Sequence, residues 1–318
     1  MFNYKTFHCV QEKYELILIL FFIVFIHFPA YSNMYLTKPK EIITIGRTSE
    51  DIHKEHDRIG PIINYLAERL TDLGVKKGKV IIAGDNNNST LVKYFRENKI
   101  DLAIDSIFPA IVYYNQVGAR PILLGNRKGR DKYCSFIFVR KDSGIESIQD
   151  LKGKIIAFED PGSTSAYLLP KLILQSHNLI LDEIISFNTH SLNTNIGYMF
   201  AGSEYNVSSW VFFKKVHAGA LSNLDWNDPE DVPNYYSSDL KIIYRGIDVP
   251  SILVVARKGL DQYLIHRIKN ELINMHQTVE GKKALKNSTF GINQFKPLKN
   301  DPLKGIIDMI NKTGWTYD

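Results

Sequence analysis

The chain has 318 residues, of which 44% are hydrophobic and 23% charged, and its formal net charge at pH 7 is +5. These proportions are typical of a folded globular protein, and the length suits two lobes of about 100–150 residues each. Lys and Arg form no dense block interleaved with aromatic residues, which argues against a nucleic-acid partner, whereas a mild positive field favours the collection of small anions.

The first 32 residues are typical of an export signal rather than of a folded segment. The apolar run from Leu16 to Phe28 is shorter than the roughly 20 residues of a membrane span, and Ala30 and Ser32 fit a signal peptide cleaved after Ser32. Two glutamates offset two lysines before the run, so an uncleaved N-terminal membrane anchor stays open as the alternative. Without a lipid-anchoring cysteine after the run, the sequence predicts a location in the periplasm.

Cysteine usage limits the chemistry of the mature chain. Cys9 precedes the apolar run and leaves with it, so Cys134 remains alone. An intramolecular disulfide and a metal site of several thiolates are then both excluded. We expect no metal and no cofactor.

From residue 41 to residue 106, short strands alternate with helical segments. The prediction is strands at 42–46, 80–83 and 100–104, with helices at 60–70 and 91–98. This alternation indicates a βαβ sheet, in which ligands bind beyond the carboxyl ends of the strands. That rule selects Arg47 and Thr48 after the first strand, and Asp105 and Ser106 after the third.

The remainder of the chain has the same α/β character. The prediction is strands at 136–139, 154–158, 184–187, 241–244 and 251–255, a short helix at 147–153, a surface loop at 227–238, and a helix at 261–277.

Residues 159–170 carry the most informative motif, because three consecutive hydroxyl residues lie where a strand turns into a helix. N–H groups at a helix start have no acceptor within the helix, and the helix dipole places partial positive charge there. Ser163, Thr164 and Ser165 add neutral donors, which suits a tetrahedral oxyanion such as phosphate or phosphonate. The alternative interpretation is that Ser163 or Thr164 only caps the helix.

The order of the segments around this motif resembles one family, the phosphate/phosphite/phosphonate-binding components of ATP-driven uptake systems, which are periplasmic binding proteins. The matching segments are Tyr133-Cys134-Ser135, residues 140–145, residues 150–154, Phe158-Glu159-Asp160-Pro161 and Ser163-Thr164-Ser165-Ala166-Tyr167. The family usually has Gly where Ala166 stands, a change that keeps a small residue at the helix start. The resemblance extends over roughly residues 41–290.

The resemblance implies a type II periplasmic binding protein fold of the α/β class, with two lobes hinged by two crossover strands. Its expected boundaries are 41–134 with 249–318 for the first lobe and 135–248 for the second. It also implies a small phosphorus-containing anion as ligand and an ABC transporter permease in the inner membrane as partner. The ligand-binding residues carried over by position are Ser163, Thr164, Ser165, Ser106, Tyr133 and His190. For Ser135, and for a lone histidine such as His190, an ordinary structural position is an equally open interpretation.

One part of the family pattern is missing from this chain. Family members that bind aminophosphonates hold the ammonium group with carboxylates, and no acid follows His190 directly. Asn223 and Asp225 are the later candidates, although Asp225 is also typical of a residue in a helix-capping turn. The sequence therefore does not select among phosphonate, phosphite and phosphate.

Two other functional classes, an enzyme and a sensor, are alternatives to uptake. We expect no catalysis, because the chain has no nucleophile elbow, Walker loop, HExxH motif or clustered metal ligands. A sensing role is the closer rival, in which the protein presents its bound anion to a membrane receptor or kinase. An uncleaved N-terminal anchor would favour sensing.

Overall fold

The structure, a computed structural model, describes residues 40–48, 52–84, 88–187 and 194–314. The segment interpreted as an export signal lies outside these residues, and so does His190. Within the described ranges, the helices are all too short or too polar to cross a membrane. Lys40–Asp318 forms one compact unit.

The first part of the chain builds most of one sheet. Its elements are β1 (Ile42–Thr48), α1 (Ile52–Arg69), β2 (Lys77–Ala83), α2 (Ser89–Arg96), β3 (Leu102–Asp105), α3 (Ile107–Val117) and β4 (Arg120–Gly125). β1 lies between β2 and β3 and is parallel to both, so the ends of β1 and β3 lie at the same edge. The predicted βαβ alternation is therefore present.

The middle of the chain builds a second sheet. Its elements are β5 (Lys132–Tyr133), β6 (Ser135–Arg140), β7 (Ile155–Phe158), α4 (Leu169–Ser176), β8 (Leu181–Glu183), β9 (Ile196–Phe200), α5 (Glu204–Phe212), β10 (Ala218–Ser222), α6 (Asn223–Trp226), α7 (Asn234–Ser237) and β11 (Leu240–Arg245). A single π-helical turn, Thr164–Leu168, leads directly into α4.

The last part of the chain returns to the first sheet. Its elements are β12 (Val249–Pro250), β13 (Ile252–Ala256), α8 (Gln262–Asn274), α9 (Val279–Asn287), β14 (Phe295–Pro297) and α10 (Lys304–Thr313). β13 inserts between β3 and β4 and runs antiparallel to both. The C-terminal helix α10 packs against α4 and buries Ile306 and Ile310.

Two six-stranded sheets result, joined by two short strands. The first sheet has the order β14-β4-β13-β3-β1-β2, and the second has the order β11-β6-β10-β7-β9-β8. The chain crosses between the sheets twice, and β5 of one crossing pairs antiparallel with β12 of the other. Buried aliphatic side chains pack between each sheet and the helices that cover it, for example Ile43 and Ile45 in β1.

Several predicted elements differ from those in the structure. The strand predicted at 184–187 is wrong, because the strand ends at Glu183 and the side chain of Ile185 is 98% exposed. β-branched composition alone does not make a strand when no sheet face is available to bury the side chains. Helix α1 begins at Ile52 and continues through Pro61, which the sequence placed near its start.

The prediction of a surface loop over 227–238 is only partly correct. It contains α7, in which Tyr236 is completely buried and stacks on Phe212 with ring centroids 4.1 Å apart. Turn-forming residues throughout this segment predicted a loop. The single helical turn depends on tertiary packing, which the local sequence does not reveal. Helices α3 and α5 were also not predicted, and the N-termini of both contribute to the cavity described next.

Candidate functional site

A cavity of about 790 Å³ is lined by residues at or just after the ends of β1, β3 and β7 and by the starts of α3 and α5. The four residues that the strand-end rule selected, Arg47, Thr48, Asp105 and Ser106, all line it. So do six of the residues predicted to bind the ligand: Ser106, Tyr133, Ser163, Thr164, Ser165 and Asp225. Residues distant in sequence are therefore brought together at one place.

The turn after β7 lines this cavity and begins a helix. Asp160 shapes the turn, with one side-chain oxygen accepting from the N–H of Gly162 at 2.7 Å. Ser163 caps the helix, because its Oγ accepts from the N–H of Ala166 at 3.1 Å. The capping interpretation of Ser163 is thus correct, and the same residue also lines the cavity.

Thr164 connects this turn to the start of α3. Its Oγ1 donates to the Oγ of Ser106 at 2.9 Å and accepts from the backbone N–H of Phe108 at 2.9 Å. Thr164 follows a strand of the second sheet, whereas Ser106 and Phe108 follow a strand of the first. A single buried hydroxyl therefore bridges the two sides of the cavity.

One of the two crossing strands contributes Tyr133 to the cavity lining. It lies in β5, its side chain is buried, and it lines the cavity near Thr164 and Ser165. Burial raises the pKa of Tyr133 to about 12, although the nearby Arg127 charge and interactions with the side chains of Thr164 and Ser165 lower it in part. At neutral pH its hydroxyl is therefore a neutral donor, like those of the serines.

Three carboxylates from the second-sheet side also line the cavity: Glu159, Glu204 and Asp225. Burial raises the pKa of Glu159 well above its ordinary value, and the charges of Glu204, Asp160 and Asp225 raise it further. A hydrogen bond with Ser163 lowers that pKa in part. Desolvation therefore favours a neutral Glu159, a form that does not repel an anion at the hydroxyl turn.

Asp225 is held by its own neighbours. Its Oδ2 accepts from the Oγ of Ser222 at 2.5 Å, and its Oδ1 lies 3.4 Å from a guanidinium nitrogen of Arg127. Burial raises the pKa of Asp225, and the charge of Arg127 opposes this rise. Ser222 rather than Asp225 is the helix N-cap, because its Oγ accepts from two backbone N–H groups.

Asn223, the neighbouring candidate, lies outside the cavity lining. Its Oδ1 accepts from the backbone N–H of Cys134 at 2.9 Å, so its side chain secures the start of α6 against the crossing segment. An asparagine next to a helix start can bind a ligand or make a structural hydrogen bond, and the sequence alone gives no reason to prefer the structural role.

The first-sheet side of the cavity is organised by a buried polar network. The hydroxyl of Tyr113 donates to Asn88 and to Asp105, each at 3.1 Å, and the Oγ1 of Thr48 donates to the same oxygen of Asn88 at 2.9 Å. Arg47 donates to the carbonyl of Ile104 at 2.9 Å. These bonds fix the ends of β1 and β3 relative to each other.

Several lining residues were not found by sequence reasoning. Arg127, Glu204 and Phe290 follow no strand of the predicted sheet, and Arg58 lies in α1, beyond the residues that directly end β1. Glu159, in contrast, is the first residue of the 159–170 motif, so an acidic group close to the hydroxyl turn is visible in the sequence.

Two sheets joined by two crossing strands, with a polar cavity at their strand ends, define a periplasmic binding protein of the type II fold, as predicted. The chain belongs to the family described as ABC transporter, phosphonate, periplasmic substrate-binding protein, which it matches over residues 48–303. Members of this family are substrate-binding components of transporters.

A curated relative and two solved proteins agree with this assignment. The phosphonates-binding periplasmic protein of Escherichia coli is 29% identical over 234 residues, which are 70% of this chain and 63% of that protein. The chain therefore spans less than two thirds of the length of this relative.

The XAC2383 protein of Xanthomonas citri has been solved bound to chloride ion and bound to ATP. The two structures are 27% and 26% identical to this chain, with TM-scores of 0.82 and 0.80, and the comparisons cover 86% of this chain and 99% and 98% of that protein. PhnD1 of Prochlorococcus marinus in complex with methylphosphonate is 19% identical with a TM-score of 0.65, over 87% of this chain and 99% of that one, which shows a shared fold.

Proposed function

We propose that this protein captures a phosphorus oxyanion in the cavity between its two sheets and delivers it to an ABC transporter permease. The observation that carries the proposal is the row of three hydroxyl residues, Ser163 to Ser165, which lines the cavity at the start of a helix. Ser106 and Tyr133 add hydroxyl groups from the opposite side and from the crossing strand.

The chemistry of this arrangement suits a tetrahedral anion. Backbone N–H groups and the helix dipole attract negative charge, and neutral hydroxyls donate without requiring a counter-charge. Hydrogen bonds to charged groups are about twice as strong as neutral ones. Their sum offsets the cost of ordering the two sides of the cavity around the ligand.

Recognition of an ammonium group on the ligand would fall mainly to Glu204, with the neutral Glu159 beside it as a hydrogen-bond partner. Asp225, the residue selected from sequence, is paired with Arg127 and bonded to Ser222. The other two carboxylates line the same side of the cavity. A phosphonate that carries an ammonium group is therefore the form of ligand that this side favours electrostatically.

A nucleoside triphosphate is a second candidate ligand. The cavity volume of about 790 Å³ lies within the range of roughly 300–1,000 Å³ that is usual for much larger ligands than methylphosphonate. The Xanthomonas citri relative, at 26% identity, has been solved bound to ATP. Several carboxylates on one side of the cavity disfavour a polyphosphate, so the simple phosphonate is preferred.

The location and partner follow from the same proposal. The Escherichia coli relative is named a periplasmic protein, and we propose export through cleavage after Ser32. We also propose two lobes with the bounds predicted from the sequence, except that α10 packs against α4 and so belongs with the second lobe. Uptake is preferred over sensing because the family consists of transporter components. We also propose that the protein is not an enzyme, because its family consists of substrate-binding components.

The test is calorimetry on the mature protein with methylphosphonate, 2-aminoethylphosphonate, phosphite, phosphate and ATP. At least one of the simple phosphorus anions should bind. Replacing both Ser163→Ala and Ser165→Ala removes two charge-assisted hydrogen bonds of at least about 1.5 kcal/mol each, so its dissociation constant should rise about 100-fold or more.

The matched control is Ser176→Ala, at the far end of the same helix. Its Oγ donates to the carbonyl of Ile173 and does not line the cavity, so binding should be unchanged. Wild-type affinity in the double variant would refute the site, and binding of ATP alone would favour the second candidate. Circular dichroism establishes that each variant is folded.

A further inference from the structure

Arg127 reaches the cavity lining from a tight hairpin that follows β4. Backbone hydrogen bonds of 2.9 Å join Arg127 and Arg130 in both directions and close a two-residue turn, in which Lys128 and Gly129 have φ of 49° and 75°. The N–H of Lys128 donates to the carbonyl of Gly291 at 2.9 Å, which ties the hairpin to the segment before β14. The hairpin therefore holds Arg127 on the first-sheet side of the cavity.

The guanidinium group of Arg127 pairs with a carboxylate of the other side, Asp225 in α6. Its Nη2 lies 3.4 Å from Oδ1 of Asp225, and the two side chains are only 26% and 5% exposed. A carboxylate that is removed from water is costly to charge unless a cation lies beside it. Arg127 therefore favours the charged form of Asp225 and takes up its attraction for cations.

This ion pair lies close to the residues that surround the hydroxyl turn. The first N–H of α6 donates to the carbonyl of Cys134 at 2.9 Å, and the preceding residue, Tyr133, lines the cavity. Besides burial, the charges of the ion pair and the side chains of Thr164 and Ser165 all shift the pKa of Tyr133. Tyr133 thus interacts with the ion pair on one side and with the turn on the other.

Arg127 changes the charge that a ligand meets on the second-sheet side. The described lining residues of that side include four carboxyl groups, those of Glu159, Asp160, Glu204 and Asp225. Burial lowers the pKa of Arg127, but the charges of Asp225, Glu204 and Glu159 raise it, so the guanidinium group acts on all three. An ammonium group on a ligand would therefore compete for these carboxyl groups with a cation that belongs to the protein.

We propose that Arg127 is a specificity-determining residue, which occupies Asp225 as a built-in counter-ion and so limits the preference of the site for a ligand with an ammonium group. This inference rests on the proposed function, since it concerns the far end of the same phosphonate. The guanidinium group and a ligand ammonium repel each other and are attracted to the same carboxylate. An ammonium-bearing phosphonate is then held through Glu204, while Asp225 stays with Arg127.

The experiment measures selectivity by calorimetry with two phosphonates of the same length. 2-Aminoethylphosphonate has an ammonium group where propylphosphonate has a methyl group, so the ratio of their dissociation constants isolates the ammonium group. Arg127→Met removes the charge and should shift this ratio about 10-fold or more towards 2-aminoethylphosphonate. Arg127→Lys keeps the charge and should stay within about threefold of the wild-type ratio. Methylphosphonate serves as the reference if propylphosphonate does not bind.

Asp225→Asn should shift the ratio in the opposite direction. It leaves the charge of Arg127 without its carboxylate, so the ratio should move about 10-fold or more towards propylphosphonate. Arg127→Met combined with Asp225→Asn removes both members of the pair and should return the ratio to within about threefold of the wild-type value.

The matched control is Lys128→Met in the same hairpin. Lys128 pairs with Asp228, and both residues lie outside the described cavity lining. The control breaks a neighbouring ion pair between the same two segments, so the ratio should stay at the wild-type value. It separates an effect on the charge that the ligand meets from a general loosening of the hairpin.

The outcomes separate this assignment from the proposed function. An unchanged ratio in Arg127→Met overturns the assignment alone, and so does an equal loss of affinity for both ligands, which would make Arg127 a structural residue or a partner of the phosphonate group itself. Binding of methylphosphonate without binding of 2-aminoethylphosphonate to either the wild type or Arg127→Met has the same consequence. Failure of every phosphorus anion to bind the wild type overturns the proposed function as well. If Arg127→Met does not fold, the ratio in Asp225→Asn decides the matter.

Discussion

Thr164→Val tests whether one hydroxyl holds the two sides of the cavity together. The change keeps the shape of the side chain and removes both its donor and its acceptor. The N–H of Phe108, in a buried residue, loses its acceptor, and the Oγ of Ser106 loses a donor. The variant therefore isolates these two bonds without leaving a cavity.

The expected cost follows from the burial of these groups. A typical hydrogen bond contributes about 1 kcal/mol net, and the variant loses two of them in a buried place. The free energy of unfolding of Thr164→Val should therefore be about 2 kcal/mol lower than that of the wild type. Urea denaturation followed by circular dichroism measures this difference.

Thr71→Val is the control, because the Thr71 hydroxyl donates at the exposed surface to the carbonyl of Glu68. Its effect should remain within about 0.5 kcal/mol, as for most surface substitutions. If Thr164→Val is as stable as this control, the bridge contributes nothing and the argument from its geometry fails.

Two further predictions concern charged groups. Asp101 is completely buried and contacts Lys40 at 2.6 Å, Arg257 at 3.1 Å and a backbone N–H. Asp101→Ala leaves these two cations without their carboxylate and should lower the free energy of unfolding by about 3–5 kcal/mol. A decrease below about 1 kcal/mol in urea denaturation would contradict this. Burial and the charges of Glu204 and Asp225 raise the pKa of Asp231 to about 7, above its value in the unfolded chain. Stability from this group is therefore present at acidic pH and is lost as pH rises through about 7. Asp231→Asn should raise the melting temperature at pH 8 by about 2–4 °C and converge with the wild type near pH 4, whereas parallel melting profiles would refute the assignment.

The parts of the site that lie at strand ends were predictable from the sequence. The carboxyl ends of parallel strands lie at one edge of a sheet, so the sequence alone was enough to predict that Arg47 and Ser106 lie close to the site. The hydroxyl turn was predictable because its signal is local. A strand, a turn with Asp160 and a helix start follow each other within a few residues.

The rest of the cavity depends on packing that no local pattern encodes. Glu204 lies at the first turn of α5, a helix that was not predicted, and Phe290 lies in a segment after α9. Asn88 adopts a left-handed conformation with φ of 63° to reach its partners in β1 and α3. Such residues enter the site through the order of the strands, which a single sequence does not reveal.

The bridge at Thr164 links binding to the approach of the two sheets. Helix α3 begins just after Ser106, and the helical segment that leads into α4 begins at Thr164, so two helix starts meet at this pair of hydroxyls. An oxyanion at this position would receive donors from both helix starts at once. Under the proposed function, a ligand that binds the turn therefore also draws the two sheets together, and the same hydrogen bonds supply affinity and closure. A small-angle scattering profile that stays unchanged on saturation with a bound phosphonate would separate the two effects and contradict this coupling.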